Sequence, residues 1–332
     1  KRQAERGQVM TERGGVLGKL QEMEKRATGK VSAPVDLSAP APTQHVARVI
    51  QLPLWPEAVR GVPNSVLRSA LFGAIKRGRR AYLQREALAS VDGVTVLFTG
   101  PRLDQADLDV WEQCLHLARG KELGERIQFA AHGFLRSIGR STGGKDVEWL
   151  KGAFARLSSS VVEIKDGSRA YFGAMLHGGA RDDETGAYSI EINPKIVALY
   201  GREGWTQVEW QQRQALKGQP LAQWLHGFYT THALPYPYRV ETLHKLCGSE
   251  AKSLKDFRKD LRRALEHIQE VAGWCSNVSR DGLVAVEKTP SKSQKRHLAQ
   301  KAPTARGKKP PATTTGPRQI KLHGIAPPLG TG

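Results

Sequence analysis

The segment Pro235-Tyr236-Pro237-Tyr238-Arg239-Val240-Glu241-Thr242-Leu243-His244-Lys245-Leu246-Cys247-Gly248-Ser249 and the basic stretch after it limit this chain more than any other feature. A short helical stretch reaches a Leu246-Cys247-Gly248 turn, and a second helix is then predicted over 249–271. Leu254, Phe257, Leu261, Leu265 and Ile268 recur at helical spacing and define an inner face. Lys252, Lys255, Arg258, Lys259, Arg262 and Arg263 occupy the other side, with Ser249 as the expected N-cap and Glu250 in the first turn. This is the sequence form of a helix-turn-helix, whose second helix fits a DNA major groove. An amphipathic helix alone would be an ordinary solvated face. The short helix and glycine turn before it favour the groove. Base edges would fall to Ser249, Lys252, Ser253 and Lys255, and phosphates to Lys259 and Arg262, with Arg258 on the same cationic side.

The middle of the chain reads as two copies of one architecture. In the first, Val94-Thr95-Val96-Leu97-Phe98 is a strand and 104–118 a helix with Leu108, Trp111, Leu115 and Ala118 on one side. A short strand at 127–129, helices at 131–138 and 142–158 and a strand at 160–165 follow. The segments 169–177 and 187–192 are expected to form a β-hairpin with a polar, acidic tip at Arg181-Asp182-Asp183-Glu184. The second copy has helices at 196–200 and 220–231, then the helix-turn-helix, then a hairpin turning at Arg280-Asp281-Gly282. Helix, turn, helix, hairpin is the order of a winged helix. The expected fold is therefore α+β: two tandem winged-helix domains, 51–192 and 193–288, flanked by a disordered linker region (1–50) and a disordered basic tail (289–332). The first copy's second helix offers a weaker cationic face through Lys145, Lys151 and Arg156, preceded by Arg136 and Arg140. DNA contact by Arg140, Lys145 and Lys151 stands beside a supporting role, in phosphate positioning or against a second protomer.

Charge agrees with a polyanionic partner. The formal net charge is +19, and ten cations from Lys288 onward, with no Asp or Glu, supply ten of it and leave +9 for the rest. Such a tail adheres to any polyanion, so specificity must come from the folded part. Cys114, Cys247 and Cys275 show no CxxC or Cys/His ligand spacing, which fits a reducing cytoplasm and offers no metal site. No apolar run approaches the ~20 residues of a membrane span, and no signal peptide opens the chain. Because residue 1 is Lys, a start further upstream is compatible with the sequence.

Gly139-Arg140-Ser141-Thr142-Gly143-Gly144-Lys145-Asp146 nearly spells a phosphate-binding loop, but Asp146 stands where a hydroxyl would hold magnesium and a helix precedes it. No catalytic elbow, HExxH helix or carboxylate pair with an orienting His appears, and His226 and His232 read as structural. The expectation is a protein that is not an enzyme and requires no cofactor.

Gln51-Leu52-Pro53-Leu54-Trp55 carries two readings. In an exposed linker, Gln51, Leu52, Leu54 and Trp55 would form a short peptide for the apolar pocket of the bacterial sliding clamp. Alternatively, Trp55 packs on the first domain as part of Trp55-Pro56-Glu57.

These blocks together resemble the TrfA-type replication initiators of broad-host-range plasmids. The matching residues are Trp55-Pro56-Glu57, Val62-Pro63-Asn64, Arg68-Ser69-Ala70-Leu71-Phe72, the block from Thr99-Gly100 to Trp111, and the block from Pro235 to Ser249. The resemblance covers roughly 51–287, and neither tail is matched. It implies sequence-specific binding to direct repeats (iterons) of double-stranded origin DNA, opening of adjacent AT-rich DNA, and recruitment of host DnaA, the replicative helicase and the sliding clamp. It also implies exchange between monomers and homodimers, and a cytoplasmic location. The clamp motif departs from the family's pattern in ending on Trp55 rather than Phe. A winged-helix transcriptional repressor that binds an operator without opening it is the competing reading.

Overall fold

In the computed structural model, which describes residues 50–301 except Arg77, Arg79, Asp92, Arg202 and Glu203, secondary structure begins with β1 (Val59–Pro63) and a single helical turn, α1 (Asn64–Leu67). β2 (Phe72–Gly73), β3 (Tyr82–Leu88), β4 (Val94–Pro101) and β5 (Leu103–Asp104) follow. In β4 the buried residues Val94, Val96 and Phe98 alternate with less buried Thr95, Leu97 and Thr99, as a strand with one face on the core requires.

The first unit shares one core with β1–β5, and its helices start with α2 (Gln105–Ala118), where the Asp104 carboxylate accepts from the amides of Ala106 and Asp107, and Asp107 reaches back to the Asp104 amide. β6 (Ile127–Ala130), α3 (Ala131–Ser137), α4 (Gly144–Ser159), β7 (Val161–Asp166), β8 (Arg169–Gly173), β9 (Gly178–Asp182) and β10 (Ala187–Glu191) complete it. The wing differs from expectation. Residues 169–173 do not pair with 187–192: β8 turns back on β7, and that hairpin joins the β3-β4-β7-β8 sheet. β9 is the first wing strand, giving a sheet of order β6-β10-β9. An inserted hairpin between helix-turn-helix and wing explains the difference. Both hairpins carry turn residues and suitable strand residues, so spacing alone could not choose between them.

A 3₁₀ helix (Pro194–Tyr200), β11 (Trp205–Glu209) and α5 (Trp210–Ala215) lead to the second unit. It comprises α6 (Pro220–Thr230), β12 (Tyr238–Arg239), α7 (Val240–Leu246), α8 (Leu254–Ala272), β13 (Cys275–Val278) and β14 (Leu283–Glu287). Its sheet has the order β12-β14-β13, the same topology as β6-β10-β9. The two units therefore repeat one plan: helix, strand, helix, helix, then a hairpin pairing back on the first strand. The fold is α+β with tandem winged helices.

Two apolar cores lie within it, one drawn from Leu52 to Trp210 and one from Leu216 to Val286. They part inside α5 rather than at the expected 192/193 boundary, because β11 pairs antiparallel along the whole of β1. The structure also departs from the unfolded tail expected from residue 289. α9 (Lys292–Lys301) is helical, and Gln294 donates to Thr230 O (2.8 Å) and accepts from Lys288 (3.0 Å). Expectations for 1–49 and 302–332 lie outside the described residues.

The polar side of α2 faces inward. Asp107, Asp109, Glu112, Gln113 and His116 are buried along with Leu108, Trp111 and Leu115. Arginines from the surrounding elements meet these acids: Arg80 and Arg156 at Asp107, and Arg213 at Asp109 and Glu112. Buried carboxylates need such partners. A periodicity that marks only apolar positions reads this side as solvent.

Candidate nucleic-acid interface

The turn between α7 and α8 is formed by Gly248 at φ +59, a left-handed conformation that suits glycine. The helix after it begins later than the sequence reading had it. Ser253, not Ser249, is the N-cap: its Oγ accepts from the Asp256 amide (3.1 Å) and donates to the Asp256 carboxylate (2.7 Å). Ser249 instead stays in the turn, accepting from the Ala251 amide (3.2 Å). Lys252 projects from that turn and is exposed. Phe257, Leu261, Ala264, Leu265 and Ile268 bury the inner face, whereas Leu254, expected inside, is 40% exposed at the helix start.

Lys255, Lys259, Arg262 and Arg263 are exposed on the outer face, and Glu266 and Glu270 follow one to two turns further along. Only Arg263 of these four cations has an ion-pair partner among the described residues, Asp260 at 3.8 Å. These cations share the first half of the helix with Asp256 and Asp260, and Glu266 and Glu270 lie in the second half. Arg258 belongs elsewhere. It turns inward to Glu241 of α7 (3.6 Å) and the backbone of Gly282 in the hairpin turn, so it fastens the helix to its surroundings instead of extending the cationic stripe.

The first unit departs further from expectation. Arg140 pairs with Asp146 and lies over the Trp149 ring (3.3 Å to the centroid), with only 7% of its side chain exposed. Ser141 also donates to Asp146, and these bonds hold the Asp146 carboxyl below the usual range. The near phosphate-binding loop is closed on itself. Lys151 pairs with Asp183 of the wing tip (3.1 Å) and Glu148 (3.7 Å), fixing wing to helix. Arg156 points at buried Asp107 (2.7 Å). Lys145 and Arg136 remain as exposed cations. Arg140 is thus engaged within the protein, and Lys151 is paired at the surface with acids of the wing tip and of its own helix. Counting cations along a helix ignores acids brought to them by the loop before it or by the wing.

The linker motif is also largely inside. Leu52 and Trp55 are buried, Trp55 Nε1 donates to His116 (3.1 Å), and its ring stacks on Tyr200. A Cβ on Gly61 would lie 2.4 Å from that ring. Gln51 bridges to Glu122, and Leu54 is the apolar residue left exposed, at 75%. The packing reading of Trp55 holds, and an exposed four-residue clamp peptide is not present in this conformation. His226 and His232 are interior: burial holds them at about 3 and about 4, so both are neutral near pH 7. Lys288, counted with the tail, is half-buried beside Trp274, and burial lowers it to about 8.

Two contributors escaped the sequence reading. Arg280 is exposed at the turn of the β13–β14 hairpin. Arg102, at the end of the first unit's β4, donates to Gly248 O (2.7 Å) and pairs with Glu250 (3.1 Å). Arg280 was legible as the hairpin tip, but a contact spanning 146 residues carries no local signal.

No helix among the described residues is long and apolar enough to cross a membrane.

Comparison with known proteins adds three findings. A family model described as TrfA protein matches residues 43–288. A curated relative, the plasmid replication initiator protein TrfA of Escherichia coli, is 28% identical over 224 residues, 65% of this chain; the chain spans 58% of that relative's length. Among solved structures, domains 2 and 3 of RctB align over 70% of this chain and 99% of theirs, with a TM-score of 0.50 and 12% identity, a likeness of fold alone.

Proposed function

The chain belongs to the TrfA protein family, whose model spans residues 43–288, and we propose that it is a plasmid replication initiator that binds direct repeats in double-stranded origin DNA. The observation that carries this reading is the outer face of α8, where Lys255, Lys259 and Arg262, without ion-pair partners among the described residues, lie in the half of the helix nearest the Gly248 turn. Lys252 and Ser249 in the turn reach base edges, as do Ser253 and Lys255 at the helix start. Lys259 and Arg262 rest on phosphates. Arg280 extends the contact from the hairpin, and Lys145 contributes from the first unit. Filling of adjacent repeats strains the neighbouring AT-rich duplex, which host DnaA and the replicative helicase then exploit. Docking of the sliding clamp on residues 51–55 would require Leu52 and Trp55 to leave the core, so that contact is not part of this reading. Homodimers limiting initiation, and a cytoplasmic setting, come with the family.

Selection from random duplexes with the full chain supplies the repeat. Permanganate footprinting of AT-rich DNA beside an array of that repeat then separates initiator from repressor. Unpairing that needs both this protein and DnaA supports initiation. Repeat binding without unpairing leaves an operator-binding repressor, and selection of no sequence removes both.

Within this reading the two kinds of cation have different signatures. Lys252→Ala is expected to cost about 1–3 kcal/mol on the selected repeat and to relax preference at one base pair. Arg262→Ala is expected to weaken selected and scrambled duplexes alike and to lower the salt slope by about one. Titrations of both duplexes over a range of salt check this; identical behaviour of the two variants would refute the groove assignment.

A further inference from the structure

The turn that leads into α8 is held in place by the first unit. Arg102 Nη2 donates to Gly248 O (2.7 Å), Arg102 Nη1 pairs with Glu250 (3.1 Å), and the Ala74 amide donates to Cys247 O (2.7 Å). Gly248 permits the approach: a Cβ there would lie 2.8 Å from Arg102 Nη2 and 3.1 Å from the Ala70 Cβ. Arg102 is itself anchored, its amide donating to Ala81 O (2.9 Å) and its carbonyl accepting from Arg80 Nη1 (2.6 Å).

The path continues into the first unit's own helix-turn-helix. Arg80 bonds Asp104, the N-cap of α2, at 2.5 Å and lies 3.0 Å from Asp107. Asp107 takes the guanidinium of Arg156 on α4 (2.7 Å). Successive contacts of 2.6–3.1 Å therefore run from α4 through Asp107, Arg80 and Arg102 to the turn that carries Ser249 and Lys252. Asp107 is wholly buried and Arg80 and Arg102 are mostly so, which makes these charge-assisted bonds stiff and costly to break.

We propose that Arg102 is a positioning residue: it sets the pose of the second unit's recognition turn relative to the first unit, and so fixes how far apart on one DNA face the two units read. The inference rests on the DNA-binding reading above and extends it to specificity. Arg102 need touch no base. With the link intact the two units meet DNA as one body, and a change of spacing within the site rotates one subsite out of reach by about a tenth of a helical turn per base pair. Without it, the turn that carries Ser249 and Lys252 can shift against the first unit, and part of that register is lost.

The test uses the full chain, the repeat selected by the unaltered protein, a scrambled duplex, and the repeat with one base pair inserted between the segments protected by the two units. For the unaltered protein, the insertion is expected to lower affinity about tenfold or more. In Arg102→Ala, affinity for the scrambled duplex should stay within about twofold while the ratio of repeat to scrambled falls about tenfold, and the insertion penalty should shrink by about half or more. Arg102→Lys, which keeps the charge but not the two-pronged geometry, should give an intermediate ratio. If thermal melting shows Arg102→Ala to be unfolded, Glu250→Ala carries the test, since it leaves the bond to Gly248 in place. It should lower the ratio about threefold and soften the insertion penalty, while removal of an acid raises affinity for both duplexes. Unaltered ratio and insertion penalty in a folded Arg102→Ala, or in Glu250→Ala, would overturn the proposal with the DNA-binding reading intact. Selection of no sequence by the unaltered protein would bring down both.

Discussion

Replacing Lys259 and Arg262 together by alanine is expected to lower affinity for any duplex about thirtyfold at ~0.15 M salt. It should also flatten the dependence of log affinity on log salt by about two. Both figures follow from counterion release: each neutralised phosphate contributes about 0.9 to that slope, and two lost contacts at this salt amount to roughly one and a half orders of magnitude. Both side chains are exposed and make no ion pair among the described residues, so stability should change by less than about 1 kcal/mol. Salt-resolved binding titrations, with a thermal melt as control, measure both effects. A fall in affinity that is the same at every salt concentration would mean that the face binds something other than phosphates. No fall at all would place the DNA on another surface.

That stripe was legible because an amphipathic helix writes its inner face at fixed spacing, and Phe257, Leu261, Leu265 and Ile268 do so. Its start was misplaced because Ser249-Glu250 and Ser253-x-x-Asp256 both resemble N-caps. The reciprocal Ser253–Asp256 pattern is the stronger of the two, since it satisfies the helix and fixes the cap side chain at once. The tandem plan of helices and strands was legible for the same reason. Three things were not. The inserted β7–β8 hairpin uses residues that fit the wing equally well. The neutralisation of Lys151 by Asp183 depends on how the wing folds over α4. The acids of α2 look like a solvent face until Arg80, Arg156 and Arg213 are known to lie against them. Each depends on contacts between segments distant in sequence, which periodicity does not encode.

The acids of α2 underlie the largest expected effect on stability. Arg213, wholly buried in α5, lies 2.7 Å from Asp109 and 3.0 Å from Glu112, and also donates to the side chain and backbone carbonyls of Gln105 (3.2 and 3.0 Å). Gln223 of α6 donates to the other oxygen of Asp109 (3.3 Å). The Asp109 carboxylate thus joins α2 to both α5 and α6, taking Arg213 on one oxygen and Gln223 on the other. Burial raises Glu112 from its ordinary 4.5 to about 7 and raises Asp109 as well, against the opposing pull of Arg213. Glu112 is the less well served: its oxygens accept no hydrogen bond from the protein, so the 3.0 Å contact is a charge contact of poor alignment. Arg213→Met keeps the volume and removes the cation, leaving two carboxylates buried without a partner, at an expected cost of about 3–5 kcal/mol. The pH dependence has a definite sign. A carboxyl whose folded pKa is raised stabilises fully below its unfolded value near 4.5 and loses that contribution as pH climbs toward the folded value. Without Arg213 the folded values rise further, so the gap between variant and unaltered protein should be small near pH 4.5 and widen up to pH 8. Urea unfolding at both pH values reads it. Adding Asp109→Asn and Glu112→Gln to Arg213→Met should recover much of the loss and abolish the widening, because no buried charge then remains. A gap that does not depend on pH, or a triple variant no better than the single, would show that Arg213 acts here through packing and not as the counter-ion of the α2 acids.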